Sequence, residues 1–444
     1  MRVTHDSCAR RRWRWVLLLT GAAAALAAAP AEAGTQSCGW SGAGRGIPGD
    51  WSAVLPQGSD VNAHILLGEG GASYWQAWNI PIPQGGYLEF HGAFPHARYT
   101  SYTTYAGALQ SVDSLPDMDI RPDAGSSNPF VVGADRTATR RDYTIRLVAG
   151  APPKTGRAPN TLYNTSPDGS KSGGSDAKVS LRIYAPDIGA GRQGGEPLPE
   201  ITSVSADGTR SAMGQCTDPG LPDVGAYALI ANSGSGEPVP DVALGADNPP
   251  VWHRFTNYVS SVVQGFGGDP STTDQLLPYG GWGDTPDNRY VSTKYSSKYG
   301  QVLAFRAKAP TFPPTRDGEP IMGSGQVRFW SICTYSHDTS WYGCHEDDEF
   351  PTDSEGYYTV VMSTAAARPK NATERCGYTW LPTGPEPEAI VILRNTLADP
   401  SFAQAIQRIG APGTEAATMG AYYPRGTYYA RTIDFEALGC RRPG

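Results

Sequence analysis

Arg98-Tyr-Thr-Ser-Tyr-Thr-Thr-Tyr105 and Arg328-Phe-Trp-Ser-Ile-Cys-Thr-Tyr335 are the stretches that decide the fold. They agree at the arginine, a serine, a threonine and the final tyrosine. Both are rich in aromatic and β-branched residues, which favour strands over helices. We interpret them as the same strand in two copies of one unit.

Three further pairs of segments occur in the same order in both halves of the chain. Each pair shares apolar or aromatic residues at strand spacing. The matched segments are residues 87–90 with 302–305, 142–147 with 357–362, and 181–184 with 393–396. Four matches in one order indicate an internal duplication.

The sequence predicts a mainly β protein of two tandem β-sandwich, jelly-roll-like modules with a few short helices. Its 53 glycines and 38 prolines suit many short strands joined by turns. The predicted boundaries are residues 34–190 for the first module, 191–285 for a linker with a helix, and 286–444 for the second module. Helices are predicted over about 252–266 and 399–410, from apolar residues at helical spacing.

The N-terminal residues 1–33 are typical of a signal peptide. Four arginines precede an apolar run, and the small-residue site Ala31-Glu32-Ala33 follows it. A membrane anchor is the alternative, but the run is shorter than the roughly 20 residues that a span needs. We expect a secreted, periplasmic or envelope protein that begins at Gly34 and has no transmembrane anchor after cleavage; Sec and twin-arginine export both stay open.

Six cysteines remain after the signal, and an even number in an exported chain predicts disulfide bonds. Their pairing stays open, although Cys333 and Cys344 are close enough in sequence to join one hairpin. The candidates are Cys38, Cys216, Cys333, Cys344, Cys376 and Cys440.

The net charge of −7 disfavours nucleic acid as a partner. A small molecule or a glycan is the partner class that fits, and the oligomeric state stays open. The chain has no G-x-S-x-G elbow, Walker loop or G-x-G-x-x-G motif, so common hydrolase and nucleotide-binding classes are disfavoured.

An acidic segment after the second strand match is the candidate metal site. Calcium takes carboxylate oxygens and zinc takes histidine, so either ion is conceivable as a cofactor. The alternative is a solvated acidic loop held by a disulfide. The candidate ligands are His337, Asp338, His345, Asp347 and Asp348.

A second set of residues is the candidate ligand site. A histidine and an arginine on one strand suit an anionic group, and exposed aromatic rings suit sugars or apolar ligands. The alternative is that these side chains belong to the core. The candidates are His96, Arg98, Trp75, Trp78 and Trp341.

The C-terminal half also resembles a known family. Residues 329–335, Trp380-Leu-Pro382 and Leu393-Arg394 are similar to bacterial envelope proteins with the paired domains of unknown function numbered twelve-fifty-four and twelve-fourteen. The resemblance implies a pair of β-sandwich or jelly-roll modules and brings no established reaction.

Three functions follow as hypotheses. The first is an envelope or secreted protein that binds a carbohydrate or apolar small ligand between the modules or at the edge of one. The second is a metal- or carboxylate-dependent hydrolase or lyase, and the third is a structural or adhesion module.

Overall fold

The computed structural model describes residues 39–44, 68–106, 111–214, 244–256, 285–336 and 341–441. The predicted signal peptide lies outside the described residues. The predicted fold class is confirmed: the protein is mainly β, with several sheets and few short helices.

Strands β1 to β10 form the first module within the described residues. One sheet has the order β1-β2-β8-β4-β5 and the other β10-β9-β3-β6-β7. The strands are β1 (Ser41–Gly44), β2 (Ala72–Pro81), β3 (Tyr87–Ala93), β4 (Ala97–Tyr105), β5 (Ser111–Pro116), β6 (Asp142–Val148), β7 (Thr161–Tyr163), β8 (Asp176–Pro186), β9 (Glu200–Val204) and β10 (Arg210–Met213).

Strands β11 to β18 form the second module in the same described part. Their sheets have the orders β11-β17-β13-β14 and β16-β15-β12-β18. The strands are β11 (Asn288–Ser296), β12 (Val302–Lys308), β13 (Phe329–Tyr335), β14 (Trp341–Glu346), β15 (Tyr357–Ser363), β16 (Thr379–Pro382), β17 (Glu388–Thr396) and β18 (Arg425–Tyr429).

The two modules share one topology. The orders β2-β8-β4-β5 and β9-β3-β6-β7 recur as β11-β17-β13-β14 and β18-β12-β15-β16. Even the parallel pair β6–β7 has its counterpart in the parallel pair β15–β16. The four sequence matches fall on equivalent strands: β3 with β12, β4 with β13, β6 with β15, and β8 with β17.

Each module buries an apolar core between its two sheets. Phe90 and Tyr102 lie in the first core, and Phe305 and Trp330 lie in the second. The central strands β4 and β13 are buried along their whole length. Alternate side chains of a strand face opposite ways, so these strands are covered on both faces.

The second covering of β4 and β13 is the other module. Tyr99 on β4 packs in one apolar cluster with Phe329 on β13. Residues of β4, β5, β8 and their turns thus meet residues of β11, β13, β14, β17 and their turns, and we call this contact region the module interface. Both modules together form four stacked β layers, with the module interface in the middle.

The helix predicted over 399–410 is absent. Its stripe Phe402, Ile406 and Ile409 is buried in the second core as expected. The backbone, however, makes bonds to the residue three positions earlier, such as Ile409 N to Ile406 O at 3.1 Å. These bonds give turns and one 3-10 turn (Ile406–Arg408) instead of an α-helix.

The helix predicted over 252–266 does not begin at Trp252. His253 exchanges two 2.8 Å backbone hydrogen bonds with Ser292 of β11, so this stretch is extended. Residues 257–266 lie outside the described residues. The α-helices of the described part are α1 (Glu415–Met419) and α2 (Thr432–Glu436). Further 3-10 turns lie at Asp117–Asp119, Asp347–Glu349, Ala365–Ala367, Glu374–Cys376 and Gly420–Tyr422.

Four of the six candidate cysteines form two disulfide bonds in the described residues. Cys333–Cys344 joins directly paired residues of β13 and β14. Cys376–Cys440 ties the loop before β16 to the C-terminal end. Cys38 and Cys216 lie outside the described residues. In the described part of the chain, no helix has the length and apolar character that crossing a membrane requires.

Candidate functional site

The module interface is held by two arginines that cross it in opposite directions. Arg98, at the start of β4, is fully buried and ion-paired to Asp347, in the turn after β14. Its other terminal nitrogen lies 3.1 Å from Asp348 Oδ2. Arg98 Nε also donates to Thr315 Oγ1 at 3.1 Å. All the polar atoms of this guanidinium therefore face the second module.

Arg328, the counterpart of Arg98, makes the reverse contact. Its Nη1 lies 3.2 Å from Oδ1 of Asp117, in the turn after β5. Both aspartates are also fixed by their own modules: Asp117 accepts from Thr100 N at 2.8 Å, and Asp347 accepts from Trp330 N at 3.1 Å. The two contacts are equivalent, so the interface has local two-fold character.

A second pair of equivalent, buried arginines lies on β8 and β17. Arg182 of β8 donates to Thr103 Oγ1 at 2.7 Å and to Tyr105. Its counterpart Arg394 of β17 donates to Tyr335 Oη at 2.7 Å. Both arginines thus meet the final tyrosine of the duplicated strand, which explains why the sequence matches preserve that tyrosine.

Carboxylates from the opposite module complete this inner layer. Glu69, just before β2, is 1% exposed and lies 3.4 Å from Arg394 Nη1. Asp287, just before β11, accepts from Tyr99 Oη at 2.6 Å and from Ser114 Oγ at 2.9 Å. Each module therefore inserts an acid from the start of its first sheet into the other module.

Burial raises the pKa of several acids near the module interface, Asp287 among them. For Asp117 and Asp347 burial raises the pKa to about 6, although Arg328 and Arg98 respectively act to lower it. For Glu346 burial raises the pKa to about 8, against the lowering effect of Arg316. The Glu346 carboxylate accepts from Arg316 Nη1 at 2.7 Å and is close to Gly71 of the first module.

The predicted metal ligands are engaged by protein groups where they are described. Asp347 and Asp348 face arginines, and His345 Nδ1 lies 3.4 Å from Glu349 Oε2. His345 Nε2 also donates to the Trp380 carbonyl at 3.2 Å. A cation beside the aspartates would compete with guanidinium groups. His337 and Asp338 lie outside the described residues.

One other group of metal-ligand types comes together in the described residues. Ligand atoms of Glu69, Cys333 and Cys344 lie within 4.8 Å of one another. The two sulfurs are bonded to each other, however, and metal ions bind the thiolate form of cysteine. This group therefore does not offer a metal site in the oxidised protein.

The predicted ligand residues lie in separate surroundings. Arg98 is enclosed in the module interface, and Trp78 is 2% exposed, so neither is open to a ligand in this structure. Trp75 packs against the first core, and Trp341 against a small cluster around Cys333. His96 is half-exposed beside Arg141 and Glu196, and its pKa is lowered by burial and then by Arg141.

A cleft of about 450 Å³ lies on the outer sheet of the second module. Its walls include Tyr357, at the start of β15, and Tyr423, just before β18. Tyr423 is fixed because its hydroxyl accepts from Trp252 N at 2.9 Å. Small residues, among them Ala421 and Gly426, also line the cleft.

Gly426, which lines the cleft, has no room for a side chain. A Cβ atom there would lie 2.8 Å from the Ala304 carbonyl oxygen and 2.8 Å from Phe305 Cβ. Such contacts are closer than van der Waals packing allows, so any larger residue would displace β18 from β12. The glycine therefore keeps the edge strand β18 in place beside the cleft.

Sequence reasoning missed the partners of the buried arginines and missed the cleft. A signal for Asp117 was present, because Asp117 and Asp347 hold the same position after equivalent strands. The cleft had no such signal: its residues come from β12, β15 and β18 and from the turn at Gly420–Tyr422, which are far apart in sequence.

No protein-family model and no curated protein matches the chain. Two crystal structures are similar at low identity. An uncharacterised protein from Burkholderia cenocepacia is 13% identical, with 85% of this chain and 81% of that chain covered and a TM-score of 0.43. The VPA0106 protein from Vibrio parahaemolyticus is 14% identical, with 81% and 90% covered and a TM-score of 0.38. Likeness at this level carries no inference about function, and the resemblance to the envelope family stays a prediction.

Proposed function

We propose that the protein acts outside the cytoplasm as a binding protein whose cleft on the second module takes a carbohydrate or a small apolar ligand. The cleft between Tyr357 and Tyr423 carries the proposal. Its volume of about 450 Å³ falls in the range of small-ligand sites. The partly exposed Tyr357 offers an apolar ring with a polar tip, which suits a sugar.

The location outside the cytoplasm has two supports. The N-terminal residues have the pattern of an export signal. The bonds Cys333–Cys344 and Cys376–Cys440 are of the kind that persists in oxidising compartments.

The module interface is a poorer candidate for the ligand site. Its arginines and acids are buried and satisfy one another across the two modules, for example Arg98 with Asp347 and Arg328 with Asp117. An incoming ligand would have to break buried ion pairs, which costs several kcal/mol per unpaired charge. The cleft requires no such rearrangement.

The test is a binding assay on the mature chain with a variant that fills the cleft. The probes are cellohexaose, tetragalacturonate and the neutral dye N-phenylnaphthylamine, titrated by calorimetry or fluorescence. Ala421→Trp should abolish binding of the probe that the wild type binds, because Ala421 is exposed and lines the cleft. Ala366→Trp, at an exposed alanine in another turn of this module, is the matched control.

Two results would overturn the proposal. Binding of none of the three probes by the wild-type protein would remove the ligand-binding function. Equal binding by wild type and Ala421→Trp would move the function away from the cleft.

A further inference from the structure

Two arginines lie side by side at the cleft. Arg306 of β12 and Arg425 of β18 are direct partners in the antiparallel register, and both line the cleft. Side chains of directly opposed residues point to the same face and start about 5 Å apart. Like charges in that position destabilise a sheet, so this pair needs a physical reason.

The two arginines differ in how their charge is balanced. Arg306 lies over the Tyr357 ring at 3.9 Å from its centroid. Its guanidinium is 2.5 Å from Asp353 Oδ2 and 3.5 Å from Glu355 Oε2. The charge of Arg306 is thus neutralised within the module, and its side chain is held in place.

The charge of Arg425 is not balanced in this way. Arg425 is exposed, and its guanidinium lies 5.6 Å from the Tyr423 ring centroid. Within the described residues it forms no ion pair with a carboxylate. Arg425 therefore offers an unbalanced positive charge at the cleft.

We infer that the cleft selects an anionic ligand, with Arg425 binding a carboxylate or sulfate group while the partly exposed Tyr357 ring contacts the sugar to which that group is attached. This inference rests on the proposed function of the cleft. Arginine matches planar and tetrahedral oxyanions through paired N–H donors. The neighbouring Arg306, already bound to Asp353, restricts where the anion fits.

A protective role is the competing explanation. β18 is the outer strand of its sheet, and charged residues on edge strands prevent pairing with other chains. That role predicts self-association when the charge is removed, with no change in ligand affinity. The anion inference predicts lower affinity for the anionic ligand and no self-association.

The experiment compares three probes on the mature chain: tetragalacturonate, its neutral methyl ester, and a tetrasaccharide whose only charged groups are sulfates. We expect at least one acidic probe to bind about tenfold or more tightly than the ester, as a charge-assisted contact allows. Arg425→Gln should remove that preference, so that the acidic probe and the ester bind with similar affinity. Added salt should weaken binding of the acidic probe only.

Arg375→Gln removes an exposed positive charge from another turn of the same module and is the matched control. Preference for carboxylate over sulfate, or the reverse, identifies the source of the anionic group. Equal affinity for the acid and the ester would overturn the anion inference, and so would self-association of Arg425→Gln with unchanged affinity for the acidic probe. In either case the proposed function of the cleft stands if Ala421→Trp still blocks binding. Both proposals fail if no probe binds or if Ala421→Trp has no effect.

Discussion

Arg98 and Arg328 hold the same position in the two modules, and each is ion-paired to an aspartate of the other module. The aspartates, Asp347 and Asp117, are themselves equivalent. Each also accepts a backbone N–H two residues beyond the arginine of its own module. The two halves of one chain therefore meet as the subunits of a symmetric dimer do.

The exchange of arginines makes a prediction about stability. Arg98→Gln leaves Asp347 buried without its counter-charge, so we expect the free energy of unfolding to fall by about 3–5 kcal/mol. Arg328→Gln should behave alike. Denaturant unfolding of both variants measures the effect.

The matched control is Arg431→Gln, because Arg431 pairs with Asp434 on the surface with 70% of its side chain exposed. An exposed pair contributes little to stability. The double variant Arg98→Gln/Asp347→Asn should cost less than its two single changes added together, since the second change removes the isolated charge. A loss no larger for Arg98→Gln than for Arg431→Gln would contradict the structural role.

Glu346 makes stability depend on pH. Burial raises its pKa to about 8, well above the unfolded value near 4.5. Between pH 4.5 and 8 the folded state therefore keeps a proton on Glu346 that the unfolded state has lost. The free energy of unfolding should therefore fall as pH rises from 6 to about 8, by up to about 1.4 kcal/mol per pH unit. Denaturant unfolding at several pH values between these limits measures the slope.

Glu346→Gln should flatten that slope, because the amide cannot titrate. Glu374→Gln, which removes an exposed carboxylate, serves as the comparison and should keep the wild-type slope. A Glu346→Gln protein with the same pH dependence as the wild type would show that another group is responsible.

The two described disulfides should differ in their contribution to stability. Cys376–Cys440 spans 64 residues and Cys333–Cys344 spans 11. The loss of chain entropy in the unfolded state gives about 4 kcal/mol for the longer loop and about 3 kcal/mol for the shorter one. Cys376→Ser/Cys440→Ser should thus lower the melting temperature markedly, and an unchanged melting temperature would argue that the bond does not constrain the unfolded chain.

Trp330 is a core residue. It is fully buried and stacks on Phe350 and Tyr358, with ring centroids 4.6 and 5.1 Å apart. We expect Trp330→Ala to lower the free energy of unfolding by about 3–5 kcal/mol and Trp330→Phe by less. A near-neutral Trp330→Ala in thermal unfolding would place this ring outside the core.

Much of the fold was predictable because the signal for a strand is local. The alternation of side chains and the four matched segments indicated β modules in duplicate, and the matches fall on equivalent strands. The prediction of a helix over 399–410 was wrong for a related reason. Its apolar spacing correctly marked Phe402, Ile406 and Ile409 as buried, but packing against β11 and β17 is served equally by 3-10 turns.

The candidate sites were harder to predict, because polar side chains are defined by partners that are distant in sequence. Arg98 was expected to meet a ligand, yet the Asp347 that binds it is 249 residues away. The residues expected to hold a metal, Asp347 and Asp348, hold arginines instead. Composition and spacing do not specify such pairings.

The sequence by itself determined that this chain forms disulfide-bonded β-sandwich modules, since strand periodicity and cysteine number are properties of neighbouring residues. Only the tertiary structure decided that Arg98 and Arg328 exchange aspartates across the module interface, and that Arg306 and Arg425 line one cleft. The reason is physical: burial and charge pairing depend on which strands become neighbours, and that neighbourhood exists only once the two modules have folded and packed together.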